Sequence, residues 1–564
     1  MRLLDSRRLT GASLFLDRPG AVVDVSVDAV DRDLLIAAWE RVARRLVGDL
    51  GWEDVVYSAR PFDGGVSLAL AAPVDGLYTA TEVNEAAWEA ACDWIAGGQR
   101  HILRRVSRSL RDEYRDEERP RLKRLLAAAR DQQVAVILDE DAVTLGSGRG
   151  SASYDLHEVP HPDDVAWDRL HCVPTVMVTG TNGKTTTVRL LASIGSAAGL
   201  CTGVSSTDWL AMGDELLDRD DYAGPGGARL VLRDTRCELA ILETARGGLL
   251  RRGLAVERAD VALITNIAAD HLGEYGIHTV DDLTTVKWTV AQALGADGRL
   301  VLNAEDENLM DCAPSHSGTK VLFSVDPRNA YFKAHIAAGG LGFTILRGRM
   351  TRVEGERREG FLSVRAMPLA YDGAARHNVS NGLAAAAVAD AVGIGLKTIA
   401  AGLKALGNDA NPGRANVIRI NDVTVLIDFA HNPAGLEALL PLALKLPAKR
   451  RMLVTGQAGD RSDQDLRAFA EAAGRDNFDR IVLKRMDGHA RGRAEGEVAE
   501  LMREAFLAMG YRARAITQTI TELDAARAAL RWARPGDLIL FLSHERRDAT
   551  QAFFSERATR KESE

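Results

Sequence analysis

The chain has 564 residues, of which 46% are apolar and 27% are charged. At about 150 residues per domain, this length predicts three to four globular domains, which excludes a single small binding module and a largely disordered chain. The 71 basic and 79 acidic residues give a net charge of −8, which argues against a nucleic-acid partner bound through phosphate neutralisation.

The cysteines and the hydropathy of the chain further limit the class of protein. The five cysteines are widely spaced and none belongs to a C-x-x-C pair, so we expect neither a disulfide framework nor a zinc knuckle. A reducing cytoplasm is therefore the predicted location. No stretch reaches the roughly 18 consecutive apolar residues that a membrane-spanning helix needs, and we expect no membrane partner.

Residues 1–165 are predicted to form a small mixed α/β domain. Ala21–Val27 is typical of a strand, and Asp31–Leu50 carries apolar residues at helical spacing. In residues 101–130 acids and bases alternate three and four positions apart, which predicts a solvated helix or helix pair and disfavours the alternative, a basic arm for nucleic acid. The run Gly146–Ser153 (GSGRGSAS) predicts a loop before the first domain boundary.

From Pro174 onward, apolar strands alternate with helix-length segments in two blocks, 166–413 and 414–564. This order predicts βαβ units and mostly parallel sheets covered on both faces. The predicted strands are Thr175–Val178, Leu239–Leu242, Val261–Thr265 and Arg299–Leu302 in the first block, and Val423–Ile427, Arg451–Val454, Arg480–Leu483 and Asp537–Leu542 in the second. The fold class is thus α/β with three domains, and the last two are predicted to join at the turn Asn411–Arg414.

The segment Val176–Thr187 has the pattern of a buried strand, a glycine loop and a helix start. Backbone N–H groups of such a loop, with the positive end of the helix, form a polyphosphate site. Lys184 adds a positive charge, and Thr185 is predicted to place its hydroxyl on Mg²⁺. The match to the general Walker pattern is incomplete, because Val178 occupies its first glycine position. The alternative is a glycine turn without a ligand, which the order of strand, G-K-T-T and helix disfavours.

This loop, G-T-N-G-K-T-T at Gly180 to Thr186, resembles that of the Mur ligase family letter for letter, and further motifs match in the family's order. The matching segments are LETARGG at Leu242–Gly248, NIAADHL at Asn266–Leu272, HNVSN at His377–Asn381, PGR at Pro412–Arg414 and DFAHNP at Asp428–Pro433. Each residue alone could be an ordinary surface charge or turn residue. Because all of them occur in the family's order after a phosphate loop, a functional interpretation is favoured. Phe429 replaces the family's tyrosine, which removes a hydroxyl.

The resemblance implies a central P-loop ATPase domain, a C-terminal Rossmann-like domain and a role for each matched residue. The residues expected to bind ATP are Gly180, Thr181, Asn182, Gly183, Lys184, Thr185, Thr186, Asn303, Asn378, Asn381, Arg414 and Asp428. Those expected to bind two Mg²⁺ ions are Thr185, Glu243, His271 and Lys287. The expected catalytic residues are Lys184, His271, Lys287 and Arg414.

Lys287 follows His271 by 16 residues, which resembles the place at which many Mur ligases carry a lysine carbamylated by CO₂. Carbamylation converts a cation into an anionic oxygen ligand and suits a second divalent ion. A solvated lysine on a helix is the alternative reading.

Within the family, DYAGPGGARL at Asp221–Leu230 and ETARGGLLRRG at Glu243–Gly253 resemble the Mur-like part of cyanophycin synthetases most. The ATP-grasp module of those enzymes has no room between residues 100 and 165, and we expect it to be absent. The resemblance implies an ADP-forming ligase that joins an amino acid to an aspartate-type or peptide carboxylate through an acyl phosphate. The alternatives are a catalytically reduced Mur-like subunit that serves as partner or scaffold of another ligase, and a plain ATPase.

The expected partners are a small-molecule or peptide acid and an amino acid. A homo-oligomer and a separate ATP-grasp ligase are the hypotheses for a protein partner. Asp460 and Glu545 follow predicted strands, where ligand loops belong, and are candidates to receive a cationic amino acid. Helix caps or surface charges are the alternative reading for both.

Overall fold

The computed structural model of the chain describes residues 1–97, 103–476 and 478–559. These residues form a mixed α/β structure with four sheets that follow one another along the chain. None of the described helices combines the length and the apolar composition that a bilayer crossing needs.

The first sheet is antiparallel, with strand order β1-β2-β4-β3. Its strands are β1 (Arg2–Leu9), β2 (Gly20–Ser26), β3 (Tyr57–Phe62) and β4 (Gly65–Ala71), and its helices are α1 (Ala29–Leu50) and α2 (Leu77–Ile95). The buried Trp39 of α1 donates its indole N–H to Asn84 of α2 at 2.8 Å, which satisfies the polar atom inside the apolar core between helices and sheet. The predicted strand and helix of this region are confirmed by β2 and α1.

The charged stretch 101–130 forms a helix pair, as predicted, with residues 101 and 102 outside the described residues. The helices are α3 (Leu103–Glu117) and α4 (Pro120–Asp131). A three-stranded antiparallel sheet follows, made of β5 (Val136–Leu138), β6 (Ala142–Leu145) and β7 (Ala152–Asp155). The prediction of a loop over Gly146–Ser153 is wrong at its end, because Gly146 and Gly148 turn the chain and Ser153 pairs with Thr144 in this sheet.

The central sheet has eleven strands in the order β11-β10-β9-β12-β8-β13-β14-β15-β16-β17-β18. Its strands are β8 (Thr175–Thr179), β9 (Thr202–Ser205), β10 (Leu210–Met212), β11 (Glu215–Asp218), β12 (Leu239–Glu243), β13 (Ala259–Ile264), β14 (Leu294–Asn303), β15 (Thr319–Ser324), β16 (Leu341–Leu346), β17 (Arg349–Glu354) and β18 (Arg357–Ser363). Its helices are α5 (Lys184–Ala197), α6 (Pro225–Arg233), α7 (Arg246–Arg251), α8 (Val280–Trp288), α9 (Glu307–Cys312), α10 (Ala330–Ala337), α11 (Arg376–Ala391) and α12 (Leu396–Ala405).

The seven middle strands of this sheet, from β9 to β16 in the sheet order, run parallel, which confirms the predicted mostly parallel sheet. Antiparallel strands extend it at both edges. Apolar side chains fill cores on both of its faces, as expected for parallel strands covered by crossover helices.

The C-terminal sheet has the order β19-β20-β24-β21-β22-β23, and β19 is its antiparallel member. Its strands are β19 (Asn416–Ile420), β20 (Val423–Asp428), β21 (Arg451–Thr455), β22 (Arg480–Lys484), β23 (Ile516–Thr519) and β24 (Leu538–Leu542). Its helices are α13 (Pro433–Lys445), α14 (Asp463–Gly474), α15 (Glu497–Ala508), α16 (Glu522–Trp532) and α17 (Arg547–Thr559). The four predicted strands of this block are confirmed by β20, β21, β22 and β24.

Candidate active site

A cavity of about 1160 Å³ lies between the central and C-terminal sheets. Its walls include loops that follow the carboxyl ends of β8, β12, β13 and β20, which is where open α/β sheets bind their ligands. All of the residues predicted to bind ATP or Mg²⁺ or to act in catalysis line this cavity except Gly180. Gly180 contributes through its carbonyl group.

The phosphate loop depends on two glycines. Gly183 has φ +85°, and a Cβ there would lie 2.3 Å from the side-chain oxygen of Asn381. Gly180 has φ +140°, and a Cβ there would lie 1.9 Å from the hydroxyl of Thr265. Because α5 begins at Lys184, the loop directs the N-terminal N–H groups of this helix toward the cavity. Such N–H groups are suited to binding an anionic group.

Two lysines meet at the carbonyl of Gly180. The Nζ atoms of Lys184 and Lys287 each donate to this oxygen at 2.9 Å, and Lys184 also donates to the carbonyl of Thr181 at 3.0 Å. Lys287 is 3% exposed. Burial lowers the pKa of Lys287 well below its ordinary value, and the charge of Lys184 lowers it further. The site thus favours a neutral amine on Lys287.

Burial also lowers the pKa of Lys184, although the carboxylates of Glu243 and Asp270 oppose the shift. Among the described residues, the Nζ atom of Lys184 donates hydrogen bonds to loop carbonyls alone. A phosphate group in the loop would offer it a stronger, charge-assisted acceptor.

Glu243 lies at the end of β12 with 1% of its surface exposed. It accepts hydrogen bonds from the hydroxyls of Thr207 at 2.6 Å, Ser206 at 2.9 Å and Thr185 at 3.2 Å, and from the backbone N–H of Thr207 at 3.3 Å. No described cationic side chain forms an ion pair with it. A buried carboxylate among hydroxyls beside a phosphate loop fits a hard divalent cation, which prefers oxygen ligands.

A second polar group surrounds Asp270. Its carboxylate lies 3.3 Å from Nε2 of His431, 3.2 Å from Nη2 of Arg461 and 4.0 Å from Nε2 of His271. Burial raises the pKa of Asp270, but the hydrogen bond with His431 and the charges around it hold the pKa well below its usual range. One ligand atom each from Asp270, His271 and His431 lies within 4.8 Å of the others. These three side chains are therefore a second place that fits a cation.

The predicted metal-binding residues thus belong to three separate groups of contacts. Thr185 contacts Glu243, whereas His271 lies with Asp270, and Lys287 lies with the phosphate loop. His271 has a left-handed backbone with φ +49°, which costs energy for a residue with a side chain. All four predicted residues nevertheless line one cavity.

The asparagines predicted to border the nucleotide are tied into the cavity wall. Asn381 donates to the side-chain oxygen of Asn378 at 3.3 Å, and Asn378 donates to the carbonyl of Leu369 at 3.0 Å. Asn303 donates to the carbonyl of Thr265 at 3.1 Å. These bonds fix the shape of the wall on the side of the central sheet.

Three predicted residues and one neighbour link the two sheets across the cavity. Arg414 Nη2 donates to the hydroxyl of Thr185 at 3.3 Å. The side-chain amides of Asn182 and Asn432 exchange two hydrogen bonds, each of 3.1 Å. Within the C-terminal part of the chain, Asp428 accepts from the backbone N–H groups of residues 415 and 430, both at 2.7 Å. The phosphate loop is therefore completed by residues from the C-terminal sheet.

Asp460 and Glu545 occupy different settings. Asp460 lines the cavity, where it lies 3.7 Å from Nδ1 of His271 and 2.7 Å from Nη1 of Arg491. The nearby His271 ring and the charge of Arg491 lower the pKa of Asp460 to about 2, although burial opposes the shift. Glu545 lies 3.9 Å from Nε2 of His489 and is not one of the described residues that line the cavity.

The cavity also contains groups that sequence reasoning did not assign. His431 lies inside the matched DFAHNP motif, so the motif match could have indicated it. Arg461 follows β21 without a motif, and Arg246 pairs with Glu274 and donates to the carbonyl of His271 at 2.7 Å. Only the position after a parallel strand could have pointed to Arg461.

The first sheet packs on α7 and on loops next to the cavity. Arg7 Nε donates to the carbonyl of Leu250 at 2.9 Å, and the backbone N–H of Thr10 donates to the carbonyl of Arg252 at 2.7 Å. Arg60 donates to the carbonyl of Gly276 at 3.0 Å. The N-terminal part of the chain thereby braces one side of the site.

Comparison with known proteins gives relatives for both sheets that form the cavity. The family model "Mur ligase middle domain" matches residues 178–389, and the model "Mur ligase, glutamate ligase domain" matches residues 413–544. Cyanophycin synthetase of Crocosphaera subtropica is 39% identical over 337 residues, which are 59% of this chain and 38% of that protein. The chain thus spans less than half the length of this relative.

A second relative is covered more fully. UDP-N-acetylmuramyl-tripeptide synthetase of Roseiflexus sp. is 30% identical over 391 residues, which are 65% of this chain and 72% of that protein. Among solved structures, E. coli FolC in complex with DHPP and ADP has a TM-score of 0.51 at 21% identity, covering 69% of this chain and 90% of that one. The structural likeness shows a shared fold.

Proposed function

Because the chain belongs to the Mur ligase family, we propose that it is an ATP-dependent ligase that joins a carboxylate to an amine through an acyl phosphate. The observation that carries the proposal is the convergence of Lys184, Glu243 and Arg414 on one phosphate loop from both sheets. We assign residues 1–165 to an N-terminal domain, 166–413 to the ATP-binding domain and 414–564 to the C-terminal domain.

The chemistry requires activation because a free carboxylate has no leaving group better than O²⁻. In the first step a carboxylate oxygen attacks the γ-phosphorus of ATP, and the bond to the β,γ-bridging oxygen breaks to release ADP. In the second step the amine attacks the acyl carbon, phosphate leaves with that oxygen, and the amine gives up a proton. Both steps bring anions together, so neutralising charge is the main task of the site.

The described side chains supply that neutralisation. Lys184 and the N-terminal N–H groups of α5 face the phosphates, and Arg414 reaches the same place from the opposite wall. Thr185 and Glu243 present oxygens 3.2 Å apart, which fit Mg²⁺, and two such ions are part of the proposal. When bound, the metal ions neutralise phosphate charge and orient the transferred group.

We assign to Lys287 the role of a carbamylated lysine. Its amine is favoured in the neutral form by burial and by Lys184, and the neutral amine is the form that adds to CO₂, with loss of one proton. The product is an anion, which the charge of Lys184 would stabilise. Its formation would place an anion next to Lys184, where the neutral amine has no charge.

For the substrates, the likeness to cyanophycin synthetase supports an aspartate-type or peptide carboxylate as the acid and an amino acid as the amine. Asp460 faces the cavity with Arg491 beside it. This pair can bind both the amino and the carboxylate group of an amino acid.

The proposal is tested by measuring phosphate release from ATP in the presence of Mg²⁺. The assay contains each amino acid alone, aspartate or short acidic peptides alone, or an amino acid together with one of these acids. A ligase releases phosphate only when acid and amine are both present, and mass spectrometry finds the amide product. Release without either substrate indicates a plain ATPase, and no release in any mixture supports the scaffold alternative. Lys184→Ala removes the proposed activity, whereas Lys397→Ala on α12 is the matched control away from the cavity.

A further inference from the structure

An arginine cluster joins the two sheets beside the phosphate loop, and the steps above use only one of its members. The arginine cluster consists of Arg189 on α5, Arg414 in the P-G-R turn, Arg547 at the start of α17 and Asp208. One oxygen of Asp208 lies 2.5 Å from Nη1 of Arg547, and the other lies 3.1 Å from Nη2 of Arg189 and 3.7 Å from Nη2 of Arg414. One carboxylate therefore anchors three guanidinium groups.

The stem of Arg547 also packs on the turn that carries Arg414. Gly413 has φ +69°, and a Cβ there would lie 2.2 Å from Cδ of Arg547. The N–H of Gly413 donates to the side chain of Gln551 at 3.1 Å, one turn further along α17. The glycine of the turn is thus required by backbone angle and by contact with Arg547.

A shared aromatic ring fixes the two arginines relative to each other. Cζ of Arg414 lies 5.3 Å and Cζ of Arg547 lies 4.8 Å from the centre of the Phe429 ring, within the range of cation–π attraction. Arg414 in turn reaches the hydroxyl of Thr185 in the phosphate loop. Arg547 is not among the described residues that line the cavity, so its route to the site runs through Arg414.

The charge of the cluster is out of balance. Three cations face one anion, and the Nε–H groups of Arg189, Arg414 and Arg547 are buried without an acceptor in the described part of the chain. Without Asp208 the three guanidinium groups would repel one another. The carboxylate is therefore what keeps Arg414 at its present place beside the phosphate loop.

We propose that Asp208 and Arg547 are positioning residues, which hold Arg414 where it can contact the phosphates of the nucleotide. This inference rests on the proposed function. It adds two residues 339 positions apart to the machinery, one from each sheet domain, and makes the placement of Arg414 depend on how the domains meet.

Phosphate release by purified full-length variants tests the inference. Arg547→Ala should lower kcat by about tenfold to a hundredfold, the range expected when a charged group is misplaced by about 1 Å, with little change in KM for the amine. Arg547→Lys keeps the charge but loses the planar fork, so it should recover part of kcat. Arg527→Ala, which removes a surface arginine paired with Asp524 on α16, is the matched control and should keep the wild-type rate.

The decisive measurement is the coupling to Arg414. In an Arg414→Lys background, Arg547→Ala should lower kcat no further. In the wild-type background, the double variant Asp208→Asn, Arg547→Ala should have a kcat no lower than that of the worse single variant. Losses that multiply, or a wild-type kcat in folded Arg547→Ala, overturn the inference. If Arg547→Ala does not fold, as judged by thermal unfolding, the same comparison is made with Arg547→Lys and Asp208→Asn.

A wild-type protein that releases no phosphate in any mixture contradicts the proposed function, and titration with a fluorescent ATP analogue then tests the inference separately. Each single variant should bind the analogue more weakly, and the double variant should bind it no more weakly than the worse single one. Unchanged binding in every variant overturns the positioning role.

Discussion

Lys287 should contribute to catalysis at the expense of stability, and Lys287→Met separates the two effects. The substitution keeps most of the side-chain volume and removes the amine. With the described residues this amine makes one hydrogen bond, to the carbonyl of Gly180, and that carbonyl keeps its 2.9 Å bond from Lys184. No acceptor loses its only partner. Because burying an incompletely paired polar group costs about 1–3 kcal/mol, the free energy of unfolding should rise by about that amount.

The stability difference should depend on pH with a definite sign. Burial lowers the pKa of Lys287 in the folded chain, whereas the unfolded lysine titrates near the usual value of about 10.4. Below that pH the unfolded chain binds a proton that the folded chain does not, so the wild type loses stability as the pH falls. The advantage of Lys287→Met over the wild type should therefore grow from pH 10 to pH 8.

Urea unfolding at the two pH values measures this advantage, and phosphate release measures the functional loss. Turnover of Lys287→Met should fall about 10²-fold or more, as when one preorganised group is removed from a charge-stabilising site. Lys287→Ala should regain part of its activity with acetate or bicarbonate. Lys333→Met, at an exposed position of α10, is the control and should change neither property. Normal turnover in Lys287→Met would refute the assigned role, and a less stable variant would refute the argument from burial.

Three further changes test the phosphate loop and its metal. Lys184→Ala should leave a folded protein, by circular dichroism, with phosphate release lowered about 10²- to 10³-fold; normal turnover would remove the loop from the mechanism. Gly183→Ala and Gly199→Ala both place a methyl group on a left-handed backbone, but only Gly183→Ala drives it into Asn381, since nothing lies within 4 Å at Gly199. ATP binding should therefore be lost in the first and kept in the second, and equal losses would contradict the clash. Chelation by EDTA should stop phosphate release and excess Mg²⁺ should restore it; an unaffected rate would exclude a divalent ion.

The parallel core of the fold could be predicted because buried parallel strands are continuous apolar runs. Such runs at Thr175–Val178 and Leu239–Leu242 predict two strands, and β8 and β12 confirm them. The hairpin of β10 and β11 could not be predicted from an apolar run, because all four residues of β11 are exposed and include Glu215 and Asp218. Its pairing is set by the edge of the finished sheet.

For the site, the sequence could indicate which residues belong together but not which atoms they contact. The motifs placed Lys184 and Lys287 in one group, yet their shared acceptor is a backbone carbonyl, which no residue pattern reveals. The ion pair of Asp208 with Arg547 was beyond sequence reasoning for a related reason. Two domains must dock before these residues meet, and docking leaves no periodic signal in the chain.

Two kinds of contact hold the domains together at the phosphate loop, and they differ in their response to a nucleotide. The amide pair of Asn182 and Asn432 is neutral, so an incoming triphosphate changes its energy little. The arginine cluster around Asp208 is charged and under-neutralised, so four added negative charges compete with this carboxylate for the guanidinium groups. We therefore expect the amide pair to maintain the docking of the domains without ATP, while the arginine cluster makes the position of Arg414 sensitive to the nucleotide.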